Sequence, residues 1–474
     1  MTLRNAMNTI ARLIFSSWIF VGCTGNTPIP PTNATTKLMD YKPITPEWAS
    51  KAILYECNTR QFSEAGNLTG VSKQLQRIKD LGVDVLWLMP IHPIGVLNRK
   101  EKPSDLGSPY SVRDYYAVNP DFGTLDDLKA LVVKAHGLGL KVIMDWVPNH
   151  TAWDAIWMET YPEYYTKING KVTAPLNETG GSTGWDDCVD LDYNNPGLRK
   201  AMIEAMQYWI KTADIDGYRV DMAGLVPNDF WKEAGPALDS IKPVFMLAEW
   251  QDEPGHFNTC FQFNYGWKWK DVTKDIAAGK HSALALDTLL GFLNSYYPAG
   301  YQQLYFTQNH DENTWTGTAN ELYGPAAEVF NVLMFTWQGI PMIYNGQEDE
   351  LSQRLSFFRK DPIHWGNYGR TPFFQNLCDL RHNNKALNSG SLGGQLIKIR
   401  TDKDEQVYAF TREKDGERVV VITNLSKLAC NVTLSPDDQT TGSYLNVFGA
   451  STIQVTKEMQ LNLKPWEYIV LTNK

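Results

Sequence analysis

The chain of 474 residues has little of what membrane, nucleic-acid-binding and metal-cluster proteins need. Its apolar stretch at residues 13–21 is too short to cross a bilayer. Lys and Arg number 44 against 53 Asp and Glu, a formal net charge of −9, which argues against the basic surface that nucleic acid requires. The six cysteines show no metal-binding spacing. What remains is an ordinary soluble composition on a chain long enough for two or more domains.

The N-terminus has the features of an export signal. Arg4 and Arg12 precede the apolar run, and Gly22-Cys23 follows it, which predicts a signal peptide over residues 1–22. The Gly-Cys pair resembles a bacterial lipoprotein cleavage site, so Cys23 would carry a lipid anchor. An ordinary secretory signal with an incidental cysteine is the alternative. We expect a cell-envelope lipoprotein, on the outer membrane, periplasmic or surface face, or a secreted protein, with residues 23–44 as a flexible tether.

Five further cysteines are spread through the chain in an odd number. They are predicted to be mostly buried thiols, and one disulfide stays open in an exported protein. Their positions are Cys57, Cys188, Cys260, Cys378 and Cys430.

Residues 45–388 alternate short apolar runs with amphipathic helical segments. The run at 83–90, for example, is followed by a helix over 124–139 with Thr124 and Asp127 as its N-terminal cap. Near-continuous apolar strands between helices indicate a parallel sheet buried on both faces. Eight such strands predict an α/β fold, a (β/α)8 TIM barrel, whose active site lies at the C-terminal strand ends.

Two regions depart from this alternation. Residues 151–190 form a long excursion after the third strand, and an insertion of that length is usually functional. After residue 388 the pattern changes to period-two alternation separated by turn residues. Residues 389–474 are therefore predicted to form a C-terminal antiparallel β-sandwich.

Four of the apolar runs end in acidic residues at the predicted C-terminal strand ends. The runs cover 143–150, 216–222, 245–250 and 306–311, and they deliver Asp145, Asp221, Glu249 and Asp311 to one place with Arg219, His150 and His310. A carboxylate cluster of this kind is costly to hold together, which favours a functional origin. Glycoside hydrolysis needs a nucleophilic carboxylate beside a protonated one.

The same four segments resemble, in order and spacing, the four signature regions of the α-amylase superfamily, glycoside hydrolase family thirteen. The resemblance covers residues 45–474 and includes the segments 108–124, 188–196 and 339–348. It implies that Asp221 is the nucleophile, Glu249 the general acid/base and Asp311 a transition-state stabiliser. It also implies substrate-binding or supporting roles for Arg219, His150, His310, Tyr110, Asp114 and Asp145.

Elementary geometry supports these roles. Arg219 and Asp221 lie two apart on a strand, so their side chains share one face, and the cation is expected to keep Asp221 ionised. Glu249 must instead hold a proton. Neighbouring strand ends lie about 4.8 Å apart, close to the separation of roughly 5 Å that a retaining mechanism requires.

The resemblance also implies a structural calcium ion, for which Asn149 and Asp190 occupy the matching positions and offer oxygen ligands. No organic cofactor is expected. The family's Lys-His pair after the nucleophile is replaced here by Gly224-Leu225, so a contact to the leaving-group sugar is lost.

The leading hypothesis is a retaining hydrolase of α-1,4-glucosidic linkages in starch, glycogen or maltooligosaccharides. A neopullulanase or cyclomaltodextrinase, an α-glucosidase and a 4-α-glucanotransferase are alternatives on the same scaffold. A non-catalytic glucan-binding lipoprotein is an alternative of another class, and it is disfavoured because all three catalytic acids are present. Chain-length preference, tolerance of α-1,6 linkages and the ratio of hydrolysis to transfer are left open.

Overall fold

Eight parallel strands close into a barrel in the computed structural model, which describes residues 41–100, 105–449 and 451–474. The predicted barrel is confirmed. The strands of the barrel and of its insertion are β1 (Leu54–Cys57), β2 (Val85–Leu88), β3 (Lys141–Trp146), β4 (His150–Ala152), β5 (Lys167–Ile168), β6 (Lys171–Val172), β7 (Cys188–Asp190), β8 (Gly217–Val220), β9 (Phe245–Ala248), β10 (Phe263–Tyr265), β11 (Gln303–Tyr305) and β12 (Ile340–Tyr344). Around the barrel the order is β1-β2-β3-β8-β9-β10-β11-β12, and β12 pairs with β1. Every residue of β1, β2, β8 and β9 is buried, as their apolar sequences require.

Helices cover the outside of the barrel. They are α1 (Leu68–Lys73), α2 (Leu75–Asp80), α3 (Leu125–Gly137), α4 (Ile156–Thr160), α5 (Pro196–Ala213), α6 (Asn228–Asp239), α7 (Trp267–Ala277), α8 (Ala285–Tyr296), α9 (Ala319–Tyr323), α10 (Ala327–Thr336) and α11 (Thr371–His382). The predicted cap of α3 is confirmed, because Thr124 and Asp127 form a reciprocal capping box. The first two helices, α1 and α2, are short and are separated at Gln74.

The insertion after β3 is anchored at the barrel mouth. Its first strand, β4, pairs antiparallel with its last strand, β7, and the register sets His150 opposite Asp190. Helix α4 and the small β5–β6 hairpin lie between them. Because β4 begins four residues after β3 ends, the insertion stands beside the C-terminal ends of the barrel strands.

The C-terminal domain is an antiparallel sheet of eight strands. They are β13 (Ile397–Thr401), β14 (Val407–Lys414), β15 (Glu417–Asn424), β16 (Cys430–Ser435), β17 (Gly442–Asn446), β18 (Thr452–Val455), β19 (Met459–Leu463) and β20 (Tyr468–Thr472). The predicted C-terminal antiparallel β-domain is confirmed, and its strands are connected into one sheet because β13 pairs with β14 through residues 397–399 and with β16 through residues 400–401. The sheet encloses an apolar cluster that includes Val407, Ile422 and Leu434.

The predictions for the N-terminus fall mostly outside the described residues. The signal peptide, Cys23 and residues 23–40 of the tether cannot be compared with the structure, and they stay predictions. Residues 41–44, predicted as the end of the tether, lie instead against α6: the Tyr41 hydroxyl and the Ile44 amide both donate to the Asp239 carboxylate. Within the described part of the chain, no helix combines the length and apolar character needed to cross a membrane.

The cysteines of the described residues are all free thiols, four of them buried and Cys430 half-buried. The prediction of mostly buried thiols is confirmed.

Candidate active site

The barrel register brings Asp221 and Glu249 together. The Asp221 amide donates to the Trp146 carbonyl at 2.8 Å, and the Glu249 amide donates to the Val220 carbonyl at 2.9 Å. Each acid therefore lies one residue beyond the end of its strand and is fixed to the neighbouring strand. Gly217 permits this close approach of β8 and β9, because its φ is 153° and a Cβ there would lie 2.0 Å from the Phe245 carbonyl oxygen.

Arg219 joins the acidic side chains at the centre of the site. Its Nη1 lies 2.7 Å from Asp145 Oδ1 and 3.1 Å from Asp221 Oδ1, and its Nη2 lies 2.7 Å from Glu249 Oε2. The Nε donates to the Tyr265 hydroxyl at 3.1 Å. One buried guanidinium therefore contacts both Asp221 and Glu249 and holds the two carboxyls near each other.

Burial opposes the ionisation of two of these carboxyls, Asp221 and Asp145. Burial raises the pKa of Asp221 well above its usual range, Glu249 raises it further, and Arg219 opposes both effects. Burial likewise raises the pKa of Asp145 to about 6 against the opposing charge of Arg219. The expectation that Arg219 alone keeps Asp221 ionised is therefore wrong, because the cation is shared among three carboxyls that have lost their hydration.

A second cluster surrounds His310. Its Nδ1 lies 2.5 Å from Glu56 Oε1, and its Nε2 lies 2.8 Å from the Tyr110 hydroxyl and 3.4 Å from Asp311 Oδ2. Burial opposes a charge on His310, but Asp311 and Glu56 raise its pKa to about 9. His310 is therefore a cation at neutral pH, and it orients Tyr110 and Asp311 at the site.

These groups border a cleft of about 390 Å³ at the barrel mouth. Its lining includes Asp221, Glu249, Asp311, Tyr110, His150, His310, Trp185, Trp315, Phe357 and Phe358. Burial lowers the pKa of His150 to about 4, so this ring is neutral, and it packs against Trp185 of the insertion at 5.5 Å between centroids. The cleft thus offers the carboxyls of Asp221, Glu249 and Asp311, the cation of His310 and several aromatic faces to one ligand.

Two of the predicted substrate-binding residues lie away from the cleft surface. Asp145 is fully buried beneath it, where Trp87 Nε1 and the Tyr110 hydroxyl donate to its Oδ2 at 3.2 and 3.1 Å. The structure does not bring Asp114 to the cleft, because it is half-exposed on a loop and accepts a hydrogen bond from the Tyr116 amide at 2.8 Å. Asp145 positions Arg219 and Tyr110, and Asp114 shapes its own loop.

Sequence reasoning missed Glu56, Trp185, Trp315 and Phe357. Glu56 left a signal, since it is an acid inside the apolar first strand, and the structure buries it completely with Oε2 lacking a hydrogen-bond partner among the described residues. The three aromatic residues come from loops and gave no comparable signal.

Position 224, where the family's pattern has a lysine, has no space for a side chain. A Cβ at Gly224 would lie 2.1 Å from Trp250 Cε2, so the indole that follows Glu249 covers the Gly224 backbone. A larger side chain at position 224 would displace Trp250.

The two candidate calcium ligands lie at the base of the insertion. Asn149 is buried beside His150, and its Nδ2 lies 3.3 Å from the ring Nδ1. Asp190 accepts a hydrogen bond from the Leu176 amide at 3.4 Å and has no ion-pair partner among the described residues. Burial raises its pKa to about 6. No three His, Cys, Asp or Glu side chains of the described chain form a metal cluster, so a calcium ion here would also need backbone oxygens.

Comparisons with known proteins agree with this geometry. The family described as "Alpha amylase, catalytic domain" matches residues 54–415, and "Maltogenic Amylase, C-terminal domain" matches residues 397–470. Alpha-amylase MalA of Haloarcula japonica is 26% identical over 439 residues, which cover 87% of this chain and 61% of MalA. Alpha-amylase 3 of Dictyoglomus thermophilum is 25% identical over 449 residues, covering 80% of this chain and 86% of that protein.

Two solved structures are similar over nearly their whole length. The noncanonic maltogenic alpha-amylase AmyB of Thermotoga neapolitana has a TM-score of 0.78 and 29% identity, covering 89% of this chain and 98% of its own. An alpha-amylase from Lactobacillus plantarum has a TM-score of 0.77 and 30% identity, covering 90% and 99%. The family match spans more than half of the chain and includes every residue of the acidic cluster, and the chain therefore belongs to the α-amylase superfamily, glycoside hydrolase family thirteen, as a glycosidase.

Proposed function

We propose that the protein is a retaining glycoside hydrolase that cleaves α-1,4-glucosidic linkages in starch, glycogen or maltooligosaccharides. The observation that carries the proposal is the contact of Asp221 and Glu249 with one guanidinium group, which holds two carboxyls near each other at the floor of a cleft. Asp311, about a third exposed, stands at the same cleft and can accept hydrogen bonds from sugar hydroxyls.

The proposed reaction has two steps. Asp221 attacks the anomeric carbon while Glu249 gives its proton to the glycosidic oxygen, so that a glycosyl ester forms and the leaving sugar departs as an alcohol. Glu249, now a carboxylate, then takes a proton from water, which attacks the ester and releases Asp221. Glu249 thus supplies one proton to the leaving sugar and recovers one from water, so both carboxyls return to their starting state at the end of the cycle.

The buried cations favour the charge that this reaction creates. Arg219 and protonated His310 are buried next to the cleft. Electrostatic interactions are strong there because water is excluded. Arg219 contacts Asp221 in the free protein and can stabilise its carboxylate as the ester breaks. Neutral His150 can donate or accept a hydrogen bond to a sugar hydroxyl without adding charge.

Product analysis tests this function. Incubation with soluble starch should yield short maltooligosaccharides on chromatography, and NMR should show the new reducing ends first as the α-anomer, because two displacements at carbon restore the configuration. Pullulan and a cyclodextrin, assayed in parallel, would reveal neopullulanase or cyclomaltodextrinase activity. Initial formation of the β-anomer, or no cleavage of any of the three glucans, would contradict the proposal.

We further propose that Asn149 and Asp190 contribute to a structural calcium site at the base of the insertion. The half-buried Asp190 carboxyl, which no cationic side chain of the described residues pairs with, suits a divalent cation, and an Asn oxygen is a compatible ligand. A bound ion would offset the burial cost of the carboxylate and hold the insertion against the barrel.

Removal of calcium is therefore expected to lower the melting temperature by several degrees, because an ion that binds only the folded state stabilises it. Thermal unfolding followed by circular dichroism, with and without a chelator, measures this. The matched control is Asp190→Asn, which should melt at the same temperature in both buffers. Superimposable curves for the unaltered protein would exclude calcium as a stabilising ligand.

A further inference from the structure

Trp315 is a large apolar side chain left open at the cleft. It is 57% exposed, although removing the apolar surface of an indole from water is normally favourable. It lines the same cleft as Asp221 and Glu249. An exposed tryptophan beside catalytic carboxyls indicates a surface that a ligand covers.

Phe357 and Phe358 hold Trp315 from behind, and we call these three residues the aromatic wall. The Trp315 ring lies 5.3 Å from Phe357 and 6.1 Å from Phe358 between centroids. Phe357 in turn stacks on Tyr110, with centroids 6.0 Å apart and planes 12° from parallel. The wall therefore continues outward from the tyrosine that lies beside His310 and Asp311.

Hydrogen bonds fix the two loops that supply the wall. Trp315 belongs to a π-helical turn, Glu312–Thr316, directly after Asp311. In that turn the Thr314 hydroxyl donates to the Leu355 carbonyl at 2.9 Å, and Asn313 Oδ1 accepts from the Leu355 amide at 2.8 Å. Because the loops are already ordered, binding a ligand on the wall costs little conformational entropy.

The loop of residues 105–110 is tied to the same wall. The Leu106 amide donates to the Phe358 carbonyl at 2.9 Å. Arg60 Nη1 bridges the two loops, donating to the Phe357 carbonyl at 3.0 Å and to the Gly107 carbonyl at 3.1 Å.

The order of the barrel strands places the wall away from the leaving group. Glu249, which protonates the departing oxygen, follows β9, the fifth barrel strand. Trp315 follows β11, and Phe357 follows β12, the seventh and eighth strands. A glucan chain that presents its leaving sugar to Glu249 therefore extends its non-reducing part toward the wall.

We propose that the exposed face of Trp315 is the stacking platform for the second glucose residue on the non-reducing side of the cleaved bond. This inference rests on the proposed function. A pyranose ring presents a flat face of C–H groups, which packs on an indole while its hydroxyls stay hydrated at the ring edge. Substrates with two or more sugars on the non-reducing side would gain affinity from Trp315, and substrates with one would not reach it.

Two chromogenic substrates with the same leaving group test the subsite. The 4-nitrophenyl α-maltoside carries two sugars on the non-reducing side of the cleaved bond, and the α-glucoside carries one. Trp315→Ala should lower the ratio of kcat/KM for the maltoside to that for the glucoside by about tenfold. Trp315→Phe should restore most of the ratio, because a smaller aromatic face remains.

Phe292→Ala is the matched control, since Phe292 is an aromatic residue 36% exposed on α8 and outside the cleft lining. Its ratio should equal that of the unaltered protein. An equal loss on both substrates for Trp315→Ala would refute the subsite and assign Trp315 to holding the Asp311 turn, and an unchanged ratio with unchanged rates would refute it too. Absence of starch cleavage by the unaltered protein would instead refute the proposed function itself, and the subsite with it.

Discussion

Asp221→Asn should reduce the turnover of starch by a factor on the order of 10⁴ or more, because an amide cannot form the glycosyl ester. The change is nearly isosteric, and the Asp221 carboxyl is buried at a cost that raises its pKa. The variant should therefore melt at the same temperature or slightly higher, as expected where an active site sacrifices stability for reactivity. Initial rates of reducing-sugar release and a thermal unfolding curve measure both effects.

Rescue by a small anion distinguishes the nucleophile from a supporting acid. Asp221→Ala should regain activity on an activated glucosyl substrate when azide is added, since azide attacks in place of the missing carboxylate and gives the β-glucosyl azide by a single inversion. The same experiment on Glu249→Ala should give the α-glucosyl azide, because Asp221 still forms the ester first. Residual activity of Asp221→Asn above about one hundredth of normal, or an α-azide from Asp221→Ala, would contradict the assignment.

The parts of the site that sequence reasoning predicted depend on strand periodicity. Arg219 and Asp221 had to share a face because they lie two apart on one strand. Glu249 had to lie beside them because the next strand of a parallel barrel ends at the same level, as the bond from the Glu249 amide to the Val220 carbonyl shows. The acid-ended apolar runs thus defined both the barrel and the centre of the site.

Other features depend on tertiary packing that periodicity does not encode. Glu56 meets His310 across the barrel, 254 residues away in the chain. The pKa of Asp221 is raised because neighbouring residues bury its carboxyl. The charge of Arg219, considered alone, therefore gave the wrong expectation for the ionisation of Asp221. The split pairing of β13, which joins the C-terminal strands into one sheet, changes partner within a five-residue strand.

Glu249→Gln should lose more activity on substrates whose leaving group must be protonated than on substrates whose leaving group departs without a proton. A glutamine retains the size of the side chain and can keep the contact with Arg219 Nη2, but it cannot donate a proton to a departing sugar oxygen. Hydrolysis of maltooligosaccharides should fall by about 10³-fold or more. Turnover of α-glucosyl fluoride, whose leaving group departs without a proton, should fall much less in the first step.

Glu56→Gln is the matched control for this test, because Glu56 is a buried acid of the same type that acts through His310. Its losses on the fluoride and on the oligosaccharide should be similar, since it has no role in protonating the leaving group. Equal losses on both substrates for Glu249→Gln would remove it as the general acid and leave Asp221 without a proton-donating partner.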